Sequence, residues 1–341
     1  MARFADAFSL HPDPAVAAGE AIGSILDQIP APSTVVVMVS GDLTWHMADT
    51  IEAVDALLSP NVLLGLTARA VRAQGAALSQ RGLALWATDA AGIQVVRLDG
   101  DPEDPDEFVF GAVGARSIRP DEQLLLWCDE ASVDSDALLA WSPDTSLAAG
   151  FLTAASTGGF PRLFVGQDEF DDGAVGLVIP RAIGTVCLDR GVGQIGEHWA
   201  VTGLGEHGVT ELAGEPVVAH CEALGLKRDD VVIGEVVVRP GGEEDFIEPL
   251  IGQAASVTDG LALGDLATLW RFDPLVFDEP LVNSVDWYEG SGVIGFGPIR
   301  HGLPAADLGN PDAAVACDRQ IGTFGGERAI FVDAFGAALF R

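Results

Sequence analysis

Lysine is almost missing from this chain. Lys227 is the only one, and Lys and Arg together number 18 against 51 Asp and Glu in 341 residues. The resulting net charge of −33 excludes nucleic-acid binding by counterion release, which needs clustered cations. Attraction to an anionic membrane surface is disfavoured for the same reason. Cysteine is scarce too. Cys128, Cys187, Cys221 and Cys317 stand far apart with no Cys-x-x-Cys spacing, which argues against a structural zinc site or a disulfide framework. Long apolar runs are also lacking: Val35–Val39 and Val62–Leu66 are far too short to span a bilayer. The opening Met1–Asp6 has neither the basic segment nor the apolar run of a secretory signal. These absences predict a cytoplasmic protein that binds neither nucleic acid nor membrane.

Apolar residues, in contrast, make up 48% of the chain, enough for a large core. The acidic excess reads as the solvated surface of a soluble protein. Its clusters, Asp101–Glu107 and Glu243–Asp245, lack the alternation and glycine of a calcium loop and read as turns.

Two stretches look like one unit written twice. Val35–Ser40 is an apolar strand ending at Gly41-Asp42, followed by helical spacing over Met47–Leu58 and a second strand through Gly65-Leu-Thr-Ala68. Leu124–Asp129 is followed by a crossover over Ser135–Trp141 and a second strand, Ser146–Leu152, running into Thr153-Ala154. The units span about 35–98 and 124–190. Pro14–Gln28 has helical spacing ahead of the first. Leu83–Trp86 and Ile93–Leu98 read as a hairpin around Asp89–Gly92, and Asp99–Glu107 as an exposed linker. Leu163–Val165, Ala174–Ile179 and Thr185–Leu188 supply further strands. A weaker third echo has a strand at Gly292–Pro298, a short helix at Asp312–Asp318 and a strand over Gln320–Glu327. A closing pair, Ala329–Val332 with Ala337–Phe340, follows. The pattern predicts an α/β or α+β fold, with duplicated β-α-β units forming mixed sheets flanked by helices, and a smaller C-terminal α/β domain.

Gly290-Ser-Gly-Val-Ile-Gly295 matches the dinucleotide fingerprint literally, but its glycines run into an apolar strand instead of opening a helix. Glu197-His198 and Glu206-His207 lack metalloprotease spacing, and Val201–Gly205 between them reads as a turn. No nucleophile elbow or Walker loop is present. Arg300-His301-Gly302 joins charge, imidazole and backbone freedom. It reads either as a recognition point for a carboxylate or as an ordinary surface turn. Glu327, after Gly325-Gly326, is placed to pair with that arginine or to face an amino group.

The whole pattern resembles the FIST family, a sensory domain of bacterial signalling proteins. The residues that carry the resemblance are Val35–Ser40 with Gly65–Ala68, Leu124–Asp129 with Gly150–Ala155, Gly173–Leu177, Gly191–Gly196, Val201-Thr202 and Glu211–Pro216. Where the family has Gly-Cys-x-Pro-Ile-Gly, this chain has Gly191-Val-Gly-Gln-Ile-Gly196, without the cysteine and proline. Arg300-His301-Gly302 and Gly325-Gly326-Glu327 resemble the family's Gly-Arg-Gly and Asn-Gly-Glu. The resemblance implies an N-terminal domain over 1–225 and a shortened C-terminal one over 226–341. It implies a stand-alone sensor that binds a small molecule, an amino acid or related metabolite, and acts through a signalling partner, as a monomer or an oligomer. Arg300, His301, Gly326 and Glu327 would orient the ligand, over a floor of Gly65, Thr67, Gly150 and Thr153. The ligand would lie in a cleft between the two halves; the alternatives are an enzyme of unknown reaction using that cleft, a haem-based gas sensor, and a protein-interaction scaffold with no ligand. Haem would take an axial ligand from His46, His198, His207, His220 or His301.

Overall fold

A computed structural model of the chain describes residues 2–74, 79–98, 118–133, 138, 147–152, 161–189, 192–205, 208–226, 231–238, 244–246, 262–272, 292–297, 312–317, 319–324, 327–332 and 335–340. From the N-terminus the elements are β1 (Phe4–Ser9), α1 (Pro14–Gln28), β2 (Thr34–Ser40), a 3-10 turn (Gly41–His46), α2 (Met47–Leu58), β3 (Val62–Ala68), β4 (Val71–Ala73) and β5 (Gly82–Thr88). Then come β6 (Gln94–Leu98), β7 (Glu122–Asp129), β8 (Leu147–Leu152), β9 (Leu163–Val165), β10 (Asp168–Phe170), β11 (Ala174–Pro180) and β12 (Gly184–Asp189). β13 (Val192–Gly205), β14 (Gly208–Leu212), β15 (Glu215–Pro216), α3 (Val217–Ala223), β16 (Val231–Val238), β17 (Glu244–Phe246) and β18 (Leu266–Phe272) come next. The chain closes with β19 (Gly292–Gly297), β20 (Asp312–Ala316), β21 (Arg319–Phe324), β22 (Glu327–Val332) and β23 (Phe335–Phe340). The fold is mixed α/β.

The chain packs as two compact units. Unit 1 is Met1–Asp189 with Leu281–Arg341, and unit 2 is Arg190–Pro280. This is a division by packing and is separate from the family boundary expected near residue 225. Unit 2 thus enters the chain as an insertion between β12 and β19. Its own sheet runs β15-β14-β13-β18-β16-β17 around Val201, Leu212, Val217, Cys221, Ile233 and Leu269. Val201–Gly205, read from sequence as a turn, is the end of the long strand β13, hydrogen-bonded to β14. The glycines there suggest a turn; pairing on this strand overrides that local preference.

Unit 1 holds three sheets with one plan. Their orders are β1-β5-β2-β3-β9-β10, β6-β11-β7-β8-β21-β22 and β12-β23-β19-β20-β4. Each is centred on a parallel pair: β2 with β3, β7 with β8, β19 with β20. An antiparallel strand (β5, β11, β23) flanks the first member of each pair, and β1, β6 or β12 lies beyond it. On the other side sits a strand borrowed from the next repeat. β9 from the second repeat pairs with β3, β21 from the third pairs with β8, and β4 from the first pairs with β20. The exchange is cyclic, so three β-x-β repeats close into a ring.

Both faces of the first two sheets are buried, which is why their central strands read as continuous apolar runs. One face of each of the three sheets contributes to a shared core. Phe4, Met38, Leu66 and Trp86 come from the first repeat, Leu125, Trp127 and Leu177 from the second, and Ile294, Ala338 and Phe340 from the third. On the other face of the first sheet, Val35, Val37, Leu63 and Leu85 pack against Ile22 and Ile25 of α1 and Met47, Ile51 and Val54 of α2. α1 begins where it does because the Asp13 carboxylate accepts from the Ala15 and Val16 N–H groups at 3.0 and 3.2 Å, with Pro14 at the first helical position.

Three expectations are corrected by these pairings. Leu83–Trp86 and Ile93–Leu98 are strands but not a hairpin: β5 already has β1 and β2 on its two edges, so β6 pairs with β11 in another sheet. Asp312–Asp318 is not a helix. Its alanines favour helix locally, yet Asp312–Ala316 lies between β19 and β4 as β20, where pairing outweighs a propensity of under about 1 kcal/mol per residue. Ala329–Val332 and Ala337–Phe340 do not pair either; β22 bonds to β21 and β23 to β12 and β19. Of the expected crossover Ser135–Trp141, only Leu138 lies among the described residues, and it is helical. Asp99–Glu107 lies outside them.

Candidate functional site

The cyclic exchange fixes the polarity of the three parallel pairs. Two residues separate the end of β3 from the start of β4, and that start, Val71, pairs with Val315 near the end of β20. Two residues likewise separate the end of β20 from β21, whose first residue, Arg319, pairs with Phe151 near the end of β8. β9 begins at Leu163, opposite Leu66 near the end of β3. The C-terminal ends of all three pairs therefore share one edge of unit 1. Strand ends of this kind expose backbone groups and short polar side chains.

That edge is built from polar residues held by specific bonds. Ser40, fully buried at the end of β2, donates to the Ser79 carbonyl at 3.1 Å. Gly41 turns the chain with φ +68°, and a Cβ there would lie 2.7 Å from the Gln80 carbonyl oxygen, so only glycine fits. Thr67, at the end of β3, accepts from the Arg162 N–H at 2.8 Å and donates its own N–H to the Arg162 carbonyl at 3.0 Å. The Arg162 guanidinium donates to the Thr44 carbonyl at 2.9 Å and grips both carboxylate oxygens of Glu169. This arginine ties the borrowed hairpin β9–β10 to the end of the first parallel pair. Hydrogen bonding from Arg162 holds the Glu169 carboxyl below the ordinary carboxylate range, against a smaller opposing effect of burial.

In the second sheet, Asp129 ends β7. Its N–H donates to the Gly173 carbonyl at 2.8 Å, and its carboxylate accepts from the Ala131 N–H at 3.3 Å. Arg97, at the same level near the end of β6, donates to Asp172 at 2.9 Å and stacks over the Phe170 ring at 3.5 Å. Burial, then the neighbouring Asp129 charge, pushes the Cys128 thiol far up, so it is inert as a nucleophile at neutral pH.

The residues singled out from sequence fall in different places. Thr67 lies on the shared edge, with its hydroxyl committed to Arg162. Gly65 packs beneath α2, where a Cβ would meet Ile51 Cδ1 at 2.6 Å and Met47 Cε at 2.7 Å; the space above it is filled by the chain's own side chains. Gly150 lies in β8 beside Trp127, one position along from Ala149, which packs on the outer face. By strand alternation Gly150 therefore faces the shared core while Gly65 faces the helices. Glu327 opens β22 at the opposite edge, since β21 runs back antiparallel to β8 before the turn. Thr153, Arg300, His301 and Gly326 lie outside the described residues. In chain order Thr153 directly follows β8, and Arg300 comes three residues after β19.

Of the histidines named for haem, His46 is half-exposed beside Asp49, with Nδ1 3.5 Å from a carboxylate oxygen. The His220 ring lies tilted against Trp199, with ring centroids 4.7 Å apart, and bonds the Leu212 carbonyl at 2.8 Å. His198 lies in β13. His207 and His301 fall outside the described residues. No group of three or more His, Cys, Asp and Glu among the described residues could hold a metal ion. No helix among them is long and apolar enough to cross a membrane. Apolar patterning gives no sign of β4, three residues over Val71–Ala73 that complete the third sheet and so reveal the ring. No family model matches the chain, and no curated protein matches it.

Proposed function

We propose that this chain is a sensory protein that reversibly binds a small metabolite at the shared C-terminal edge of unit 1, with amino acids and related compounds as the class to test first. One observation supports that location: three parallel strand pairs all end on the same edge. The resemblance to the FIST family supplies the sensory part of the reading. Arg300 and His301, which come after β19, and Thr153, which comes after β8, belong to the ligand's surroundings on this reading. Such a protein signals only if the ligand binds two conformations with different affinity, and a protein partner then reads the difference.

The test is the mass of the purified protein under native and denaturing conditions, followed by thermal shifts with the twenty amino acids. A mass excess lost on denaturation, or a shift of several degrees with particular amino acids, is the expected result. A haem-sized excess would replace the metabolite by haem. The absence of both excess and shift would sink the proposal.

A further inference from the structure

The edge of the first sheet carries a second feature, independent of any ligand. β1 and β2 run the same way, each antiparallel to β5, and they end level: Ser9 pairs with Leu83 and Ser40 with Gly82. The segments leaving these two strands therefore emerge at the same edge, on either side of the start of β5. After β1 come Leu10 and the first turn of α1 with Val16; after β2 comes the 3-10 turn with Trp45. All three side chains are exposed, Leu10 by 58%, Val16 by 42% and Trp45 by 68%. A Cβ at Gly82 would lie 3.3 Å from Leu10 Cδ2, which keeps Leu10 against this edge.

Trp45 is firmly mounted. The residue before it, Thr44, bonds the Gly41 carbonyl at 2.7 Å and has its own carbonyl held by Arg162 at 2.9 Å. Three residues earlier is Asp42, which a 3-10 turn stacks in line with Trp45; four residues later is Asp49, in the first turn of α2. Both carboxylates are exposed, and Asp49 also has His46 Nδ1 at 3.5 Å, so two acidic residues flank Trp45 along the chain. An indole face flanked by carboxylates attracts a cation.

Magnitude decides which kind of cation. An exposed cation–π contact is by itself too weak to hold a small free ion. The same contact gains strength when a partner surface excludes water around it, and Trp with Arg is a favoured pairing at such hot spots. We propose that Leu10, Val16 and Trp45 form a docking surface for a protein segment with an apolar face and Arg or Lys beside it. Charge complementarity selects that occupant: a second copy would bring the same carboxylates and a net charge of −33 against this surface.

The test uses a fluorescent synthetic helix with leucines at helical spacing and lysines between them, titrated by anisotropy at about 0.15 M salt, where long-range attraction is largely screened. Trp45→Ala and Leu10→Ser should each weaken binding roughly tenfold or more, with unchanged circular dichroism. Leu57→Ser, at the far end of α2 and equally exposed at 62%, should leave it unchanged. Replacing the peptide lysines by glutamine should abolish binding. Equal loss in all three variants, no loss in Trp45→Ala, or retained binding of the glutamine peptide would overturn the proposal. So would a protein dimer that Trp45→Ala dissolves, since the occupant would then be a second copy. Loss of metabolite binding would leave these outcomes untouched.

Discussion

Gln123 and Val186 join two repeats of the ring through one buried side-chain amide. Gln123 Nε2 donates to the Gly184 carbonyl at 2.9 Å, and its Oε1 accepts the Val186 N–H at 3.0 Å. Gln123 lies in β7 of the second sheet and Val186 in β12 of the third. The amide does across two sheets what a paired backbone residue does within one. Because both bonds are buried, Gln123→Leu strands a donor and an acceptor. We expect a loss of about 2–4 kcal/mol in urea unfolding. A loss under about 1 kcal/mol would show that the sheets are held together without this bridge.

Glycines separate close packing against backbone from packing against flexible side chains. A Cβ at Gly176 of β11 would lie 2.2 Å from the Leu125 carbonyl oxygen, whereas at Gly65 the nearest atoms are the mobile ends of Ile51 and Met47. Gly176→Ala should cost about 3 kcal/mol or more, and Gly65→Ala about 1–2 kcal/mol. Thermal unfolding of the two variants side by side checks the order.

Acid should loosen the borrowed hairpin before the core. The Glu169 carboxyl sits below its ordinary value of 4.5 because Arg162 bonds its charged form. A depressed carboxylate contributes stability that is present in full above the unfolded value and is lost as pH falls through the folded one. The contribution is small, since Glu169 is 42% exposed. Amide exchange of β9 and β10 should therefore speed up relative to β2 below about pH 4.5. In Glu169→Gln the two should keep a constant ratio across that range.

Cys128, Cys221 and Cys317 are buried. With Cys128 pushed far above neutral pH, native protein should take no label at these three positions from iodoacetamide at about pH 8, and full label in denaturant. Peptide mapping reads the result directly, and rapid native labelling of Cys128 would place its sheet at the surface.

If Arg300 makes a charged hydrogen bond to the ligand, Arg300→Ala should weaken binding by about 1.5–3 kcal/mol in calorimetry. Unchanged affinity would remove it from the site.

Much of the first two repeats is legible in the sequence. α1 and α2 show in their apolar spacing, and β2, β3, β7 and β8 in apolar runs that end at polar turns. The ring itself is not. Its closure depends on β4, only three residues long, and on β9 and β21 pairing back to the preceding repeat, contacts between residues far apart in the chain. Local pattern carries no information about such partners, which is why β5 and β6 look like a hairpin. β1 also escapes local pattern; Phe4–Ser9 is short and carries Asp6, whose carboxylate is buried and accepts from the Gln74 N–H. Of the expected site residues, Thr67 lies on the shared edge while Gly65 and Glu327 do not.

The location of the ligand is open to one direct measurement. Hydrogen–deuterium exchange is compared between protein as purified and protein freed of small molecules by unfolding, dialysis and refolding, before and after the bound compound is restored. Protection should appear in the segments that leave the ends of β2, β3, β7, β8, β19 and β20. The turns at the opposite edge, such as Asp89–Gly92 and Arg181–Ile183, should not change. Protection confined to those turns, or to unit 2, would contradict a site on the shared edge.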